Sequence, residues 1–313
     1  MTMNRRDFLK CGACACLASS LSNFDLSGFP KAFADEALSN LKVVDFTLKI
    51  GATKPFTAVH ISDTHLTFAD ERETERKQKL AKDRLRYFGK SETNLRAAVT
   101  YAKEKDAVLL HTGDMVDFLS DKNFEFVSSF YAEDGMVPHF VSSGNHEFSH
   151  YLGEAKEDEA YKMQSFDRVQ KAFPNDLRFC SRVINGVNFV AFDDVYYYVA
   201  DDVIERFEKE VEKGLPIVTM CHVPFYTPEL YRFMIEDQKE RISYTIGVPS
   251  EKKERACDEN TLKFLEWIKT QPLMKAHICG HLHVNHVDQF SEYAKQYVVG
   301  GNFKGDVFVY HFE

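Results

Sequence analysis

Five short stretches of this sequence close an apolar run on side chains that bind metals or carry protons. "AVHISDTH" delivers Asp63 and His65, and "LLHTGDMVD" delivers Asp114 and Asp117. "FVSSGNHE" delivers Asn145, His146 and Glu147, "VTMCHVP" delivers His222, and "AHICGHLH" delivers His281 and His283. Imidazole, carboxylate and amide oxygen together suit borderline divalent ions such as Mn²⁺, Fe²⁺ and Zn²⁺; no Cys is among the candidate donors to favour a softer site. A spacing of two, as in Asp63/His65 and His281/His283, places both side chains on one side of an extended segment. Singly, each stretch has a plain structural reading. Asp after Gly is common turn chemistry, and an isolated strand-end His is most often a satisfied core or turn residue. Chemistry requires that the five stretches meet.

The elements around them can make them meet. Strand-like runs alternate with helix-like ones: "FTAVHIS", then "NLRAAVTYAKEK" with helical spacing, then "DAVLLHTGD", the helix "NFEFVSSFYAEDG" and the strand "MVPHFVSSGN". "RFCSRVINGVNFVAFDD" predicts a hairpin around Asn185-Gly186. "VIERFEKEVEKG" and "ENTLKFLEWIKTQP" predict helices, the second capped by Asp258, and each leads into a strand, "LPIVTMCHVP" and "MKAHICGH". "LKVVDFTLKI" near the start and "QYVVGGNFKGDVFVYHFE" at the end add further β structure. This order indicates an α/β fold, a sheet-based core covered by helices. In such a sheet, strand ends on one edge converge on one crevice, where ligands are usually found. Two segments exceed a minimal core: the highly charged residues 69–90, with helical character, and the aromatic-rich residues 225–258. Each follows a candidate site loop, so each is a possible cap as well as a plain surface excursion.

The chain has 313 residues, 44% of them hydrophobic, enough for a sizeable core in one large domain or two small ones. Its net charge of −9 argues against a stable nucleic-acid partner, because such binders present a basic face. Residues 1–34 have a basic start, a short apolar run and Ala32-Phe33-Ala34, the layout of an export signal with an A-x-A cleavage site. Arg5-Arg6 followed by Asp7-Phe8-Leu9-Lys10 resembles the twin-arginine signal of bacteria. The expected organisation is therefore a signal over 1–34 and one domain over 35–313, exported to the periplasm or beyond by the twin-arginine machinery. Cys180, Cys221, Cys257 and Cys279 are too few for a disulfide scaffold at this size. Cys221 and Cys279 read as small buried residues.

In order along the chain, D-x-H, G-D-x-x-D, G-N-H-E, a lone His after a strand and G-H-x-H resemble the calcineurin-like metallophosphoesterase superfamily over about Val59 to His283. The resemblance implies a four-layer αββα sandwich, two mixed sheets flanked by helices, with the site at strand ends. It implies two divalent ions (Mn, Fe or Zn): one held by Asp63, His65, Asp114 and His283, the other by Asp114, Asn145, His222 and His281. Asp114 is then shared. Two such ions activate a water for attack on a phosphate ester and clamp the phosphoryl oxygens. His146 matches the general acid that protonates the leaving oxygen, Asp117 the residue that holds it, and Glu147 a contact behind the ligands. His60, His111, His150 and His286 have no counterpart and read as structural.

Two departures narrow the branch. Purple acid phosphatases have a Tyr where Asp117 stands, so a coloured Fe(III)–tyrosinate centre is not expected. The protein Ser/Thr phosphatases continue with Arg-Gly where Phe118-Leu119 stand. What remains expected is an exported hydrolase of a small-molecule or lipid phosphoester. A phosphodiesterase or nuclease on the same fold is the alternative, and a non-catalytic metal-binding module the remote one. The residues that would select a substrate are not legible in the motifs, nor is the oligomeric state.

Overall fold

The computed structural model describes residues 26–133, 135–152, 158–255 and 257–313. The Arg5-Arg6 pair and the apolar run after it lie outside the described residues. Eleven strands are described: β1 (Lys42–Leu48), β2 (Phe56–Ile61), β3 (Val108–Thr112), β4 (His139–Ser142), β5 (Phe179–Ile184), β6 (Val187–Phe192), β7 (Ile217–Met220), β8 (Met274–Cys279), β9 (His286–Gln289), β10 (Lys295–Val298) and β11 (Asp306–Phe312). They form two mixed sheets, in the orders β1-β11-β2-β3-β4 and β5-β6-β7-β8-β10-β9. β2, β3 and β4 run parallel, as do β6, β7, β8 and β10.

The side-chain period of two builds the layers. On β2, Ala58 faces the second sheet while Val59 and Ile61 face outward; on β6, Phe189 and Ala191 face the first sheet while Val190 and Phe192 face outward. The middle layer is aromatic, with Phe140, Phe189, Phe308, Tyr310 and Phe312 between the sheets. The longer helices cover the outer faces. In chain order they are α1 (Lys31–Ser39), α2 (Glu75–Phe88), α3 (Ser91–Glu104), α4 (Asp121–Ala132), α5 (Glu159–Met163), α6 (Phe166–Gln170), α7 (Asp201–Val211), α8 (Pro228–Arg232) and α9 (Glu259–Lys269). α3 and α4 pack Leu95, Val99, Val127 and Phe130 on the first sheet, and α7 and α9 pack Phe207, Phe264 and Ile268 on the second. The result is the expected αββα sandwich.

Local signals act as predicted in several places. Asp258 caps α9 by accepting from the Thr261 N–H at 2.7 Å. Asn185 and Gly186 both have positive φ (45° and 83°) in the two-residue loop between β5 and β6, as a type I′ turn needs. β1 pairs parallel with β11, which lies between β1 and β2. The C-terminal β region therefore divides, β10 to one sheet and β11 to the other. The Ala32-Phe33-Ala34 motif falls inside α1, whose Ala37 buries, together with the preceding Leu26, against Ala97 of α3. Cys180, Cys221, Cys257 and Cys279 are all free thiols.

Candidate metal centre

The five stretches converge at one edge of the sandwich, at the ends of β2, β3, β4, β7 and β8. The chain does not stay extended there. Asp63, His65, Asp114, His281 and His283 all have left-handed backbones, with φ of 52°, 52°, 54°, 70° and 55°. This corrects the extended reading of the two spacing-of-two pairs. Asp and His enter this region more readily than most side chains, but five instances in one site need compensation. It comes from hydrogen bonds between the loops: Asp63 N–H to Gly113 O, His65 N–H to Asp114 O and Leu66 N–H to Met115 O, each 2.9 Å.

Asp114 sits at the centre of the arrangement. One carboxylate oxygen accepts from the His146 N–H at 2.8 Å; the other lies 3.2 Å from His222 Nε2 and 3.8 Å from His65 Nε2. Gly144 makes this possible, because a Cβ there would stand 2.3 Å from Asp114 Oδ1. Asp63 Oδ2 accepts from the His281 N–H at 2.9 Å, and Oδ1 lies 3.2 Å from His283 Nε2. Gly280 permits the approach of the β8 loop, since its Cβ would overlap Ser62 Oγ at 1.9 Å.

Three groups of donors result, one of them His65, Asp117 and His146; the other two share a carboxylate. Asp63, His65, Asp114 and His283 each bring a ligand atom within 4.8 Å of the others, and so do Asp114, His222 and His281. Asp114 belongs to both. Asn145 lies beside the second group, on the wall of the same cleft. The donor set fits divalent ions on three observations. Asp63 Oδ1 and Asn145 Oδ1 are buried and accept no hydrogen bond. Ring nitrogens face each other, His65 Nε2 and His283 Nε2 at 2.9 Å and His222 Nε2 and His281 Nδ1 at 3.1 Å. Their outward nitrogens are anchored: His222 Nδ1–H donates to the Thr112 carbonyl at 2.7 Å, leaving Nε2 as the free lone pair. His65 Nδ1 meets Asp117 at 3.2 Å, and His281 Nε2 meets the Tyr197 hydroxyl at 3.2 Å.

The charges reinforce one another. Burial favours the neutral form of Asp63 and Asp114, yet the surrounding histidines, His283 at Asp63 and His222 at Asp114, hold both well below the usual carboxylate range. Burial opposes protonation of His146, but Asp114 and Asp117 outweigh it and lift the imidazole to about 9. His146 is partly exposed at the cleft and its Nδ1 bonds the Asp117 backbone carbonyl at 2.8 Å. Asp117 thus meets His146, but its carboxylate serves other partners as well. The Asp117 carboxylate is 3.4 Å from His146 and is engaged mainly by Arg84, whose Nε and Nη2 donate to it at 2.6 and 2.8 Å. The carboxylate orients His65 as much as His146.

Glu147 stands behind the ligands, where the sequence reading put it, and sequence reasoning missed two further supports, Asp194 and Arg84. Glu147 accepts from four backbone N–H groups, those of Asp114, Met115, Val116 and Gly144, at 2.6 to 3.3 Å, and so ties the β3 loop to the β4 loop. Asp194, at the end of β6, accepts from the His222 and Val223 N–H groups; the "DD" closing that strand was the available signal. Arg84 had none, being one charge among many on α2. Phe88 of the same helix stacks on the His65 ring at 4.7 Å and 13°. Residues 69–90 thus brace the centre from behind. Residues 225–258 lie in front, where Met234, Tyr244 and Arg255 wall a cleft of about 340 Å³ opposite Asp114, Asn145, His146 and His283. His60, His111 and His277 are buried among core partners, and His286 stacks on Phe233.

The sequence profile of the calcineurin-like phosphoesterases matches residues 56–285. The chain belongs to the calcineurin-like phosphoesterase family. It is a metal-dependent hydrolase of phosphoric esters. Among solved structures, a dimetal phosphatase from Danio rerio is 14% identical, covering 81% of this chain and 91% of its own, with a TM-score of 0.51. The purple acid phosphatase PPD1 from yellow lupin seeds is 14% identical (81% and 44% covered, TM-score 0.47), and a 5'-nucleotidase from Candida albicans is 14% identical (83% and 48% covered, TM-score 0.38). The chain spans under half the length of these last two. No curated protein matches it in sequence. At such identities the likeness is one of fold, and the calcineurin-like assignment rests on the family profile.

Proposed function

We propose that this chain is an exported phosphoesterase that hydrolyses a small-molecule phosphate ester at a two-metal centre. The observation that supports it is Asp114, the one carboxylate common to two adjoining donor groups. Asp63, His65, Asp114 and His283 would hold one ion, and Asp114, Asn145, His222 and His281 the other. Such a pair supplies an acidified water and Lewis-acid contact with phosphoryl oxygens. The chain's own residues do the rest. Glu147 and Gly144 hold the two loops so that Asp114 faces both donor groups. His146, protonated and directed into the cleft, gives a proton to the departing oxygen. Asp117 holds His146 through its carbonyl and His65 through its carboxylate. A cleft of about 340 Å³ suits a small organic ester.

The test combines metal analysis with a substrate pair. The wild type should retain about two ions per chain and turn over p-nitrophenyl phosphate faster than bis-p-nitrophenyl phosphate. Asp114→Asn should lose ions from both groups, whereas His65→Ala should deplete mainly one. Two retained ions in Asp114→Asn would refute the shared role. Faster turnover of the diester would move the reading to a phosphodiesterase, and tight metal binding without hydrolysis of any ester to a binding module. Export rests on Arg5-Arg6: replacing both with Lys should leave precursor in the cytoplasm, and unchanged export would sink it.

A further inference from the structure

The cleft has a wall of which the metal centre uses only the Tyr197 hydroxyl, held against His281 Nε2 at 3.2 Å. Tyr197 and Tyr244 both pack edge-on to His281, their ring centroids 6.1 and 6.3 Å from the imidazole and inclined to it by 74° and 76°. Met234 and Leu282, both nearly buried, fill the surface around them. We propose that this wall is a leaving-group subsite, which selects phosphate esters whose alcohol portion is flat and apolar. The proposal rests on the phosphoesterase reading above.

The backbone argues that the wall is built rather than incidental. Tyr197 and Tyr244 both have left-handed backbones, with φ of 65° and 54°. A bulky residue there is uncommon and persists only where its surroundings over-determine it, a pattern that clusters at ligand sites. Tyr244 is over-determined. Ser243 donates to Glu254 twice, from its N–H at 2.9 Å and its hydroxyl at 2.7 Å, and its hydroxyl also meets Thr245 Oγ1 at 2.8 Å. On the other side, Ile246 N–H donates to Pro224 O and Tyr226 N–H to Ile246 O. The Ser243–Glu254 clasp therefore pins the chain next to Tyr244, which is nonetheless 37% exposed at the cleft. It also pins Arg255, the residue after Glu254, whose guanidinium lies 5.1 Å from the Tyr197 ring centroid. An exposed ring held in a strained turn contributes little to the core, so its surface is available to a ligand.

The charge pattern decides between ligand types. Arg255 and Glu240 both line the cleft, so the wall carries one charge of each sign and does not call for a second anionic group. What it offers in area is aromatic and thioether surface, which favours a planar apolar body through stacking and burial.

Two non-hydrolysable ligands with the same head group isolate the effect. Calorimetry on the metal-loaded protein should show phenylphosphonate binding about tenfold tighter than methylphosphonate, the scale of one aromatic contact plus its buried area. Tyr244→Gly removes the ring and suits the left-handed backbone, so the variant should fold at least as well as the wild type. It should lose the preference, binding the two phosphonates alike, while Tyr244→Phe keeps it; metal content is measured in each. Equal affinities in the wild type, or a preference that survives Tyr244→Gly, would overturn the subsite and leave the phosphoesterase reading intact. Failure of both phosphonates to bind the metal-loaded wild type would overturn both.

Discussion

His146 is the residue whose role depends most on the substrate. Its Nδ1 is taken by the Asp117 carbonyl, which leaves Nε2 to face the cleft. A proton donor matters in proportion to the basicity of the departing oxygen. On an alkyl phosphate, His146→Gln should slow hydrolysis by roughly 10²–10⁴-fold, the range of general acid–base catalysis. On p-nitrophenyl phosphate, whose leaving group departs as a stable anion, the loss should be much smaller. Both metals should remain, because His146 is not a ligand in the assignment made above. Equal losses on both substrates with metals retained would reassign His146 to phosphoryl binding. His222→Ala, in contrast, should damage both reactions alike.

At the scale of elements, α2 contributes what its charged sequence conceals. Phe88 packs on His65, and Arg84 crosses that phenyl ring at 4.5 Å to reach Asp117. Arg84 is about a fifth exposed and its partner is fully buried. Arg84→Met should therefore cost about 1.5–2 kcal/mol in urea unfolding, the lower half of the range for a hydrogen bond to a charged group, because Arg84 is partly exposed. It should also weaken metal binding on the His65 side more than on the His222 side, since Asp117 then turns freely against His65. Arg84→Lys should rescue only part, because a single ammonium cannot reproduce the two-pronged contact. Unchanged metal affinity in Arg84→Met would limit α2 to a structural role. The front of the site is built separately, with Tyr244 on the loop 225–258 and Tyr197 on the segment that follows β6.

Across the whole molecule, stability and pH are linked through buried histidines away from the centre. His277 is buried, hydrogen-bonded to Thr219 Oγ1 at 2.8 Å and stacked on Phe225 at 3.9 Å. Burial lowers it from 6.5 to about 3. The folded state therefore excludes a proton that the unfolded chain binds below pH 6.5. Stability is full above that value and is lost as pH falls toward 3. At pH 5 the loss for this one group is about 2 kcal/mol. Denaturant unfolding of His277→Gln at fixed metal concentration should show a fall between pH 7 and pH 5 that is shallower than the wild type's by about that amount. Equal falls would place the acid sensitivity elsewhere.

The five polar stretches were legible because strand ends, Gly-Asp turns and paired histidines are local patterns, and local patterns survive in one dimension. The same holds for the Asn185-Gly186 turn and the Asp258 cap, each decided by a few adjacent residues. The order of the sheets was not legible. β11 lies between β1 and β2 across more than 240 residues of chain, and only the packing of Phe308, Tyr310 and Phe312 between the sheets puts it there. Nor were the supports. Arg84 looks like any surface charge until α2 folds back on β3's loop, and Tyr244 looks like any aromatic until the Ser243–Glu254 clasp turns it toward His281. The sequence by itself determined the donor types, their order and the alternation of elements. The tertiary structure alone decided the left-handed turns that aim the donors, because a backbone conformation costly in isolation is held only by hydrogen bonds from distant loops.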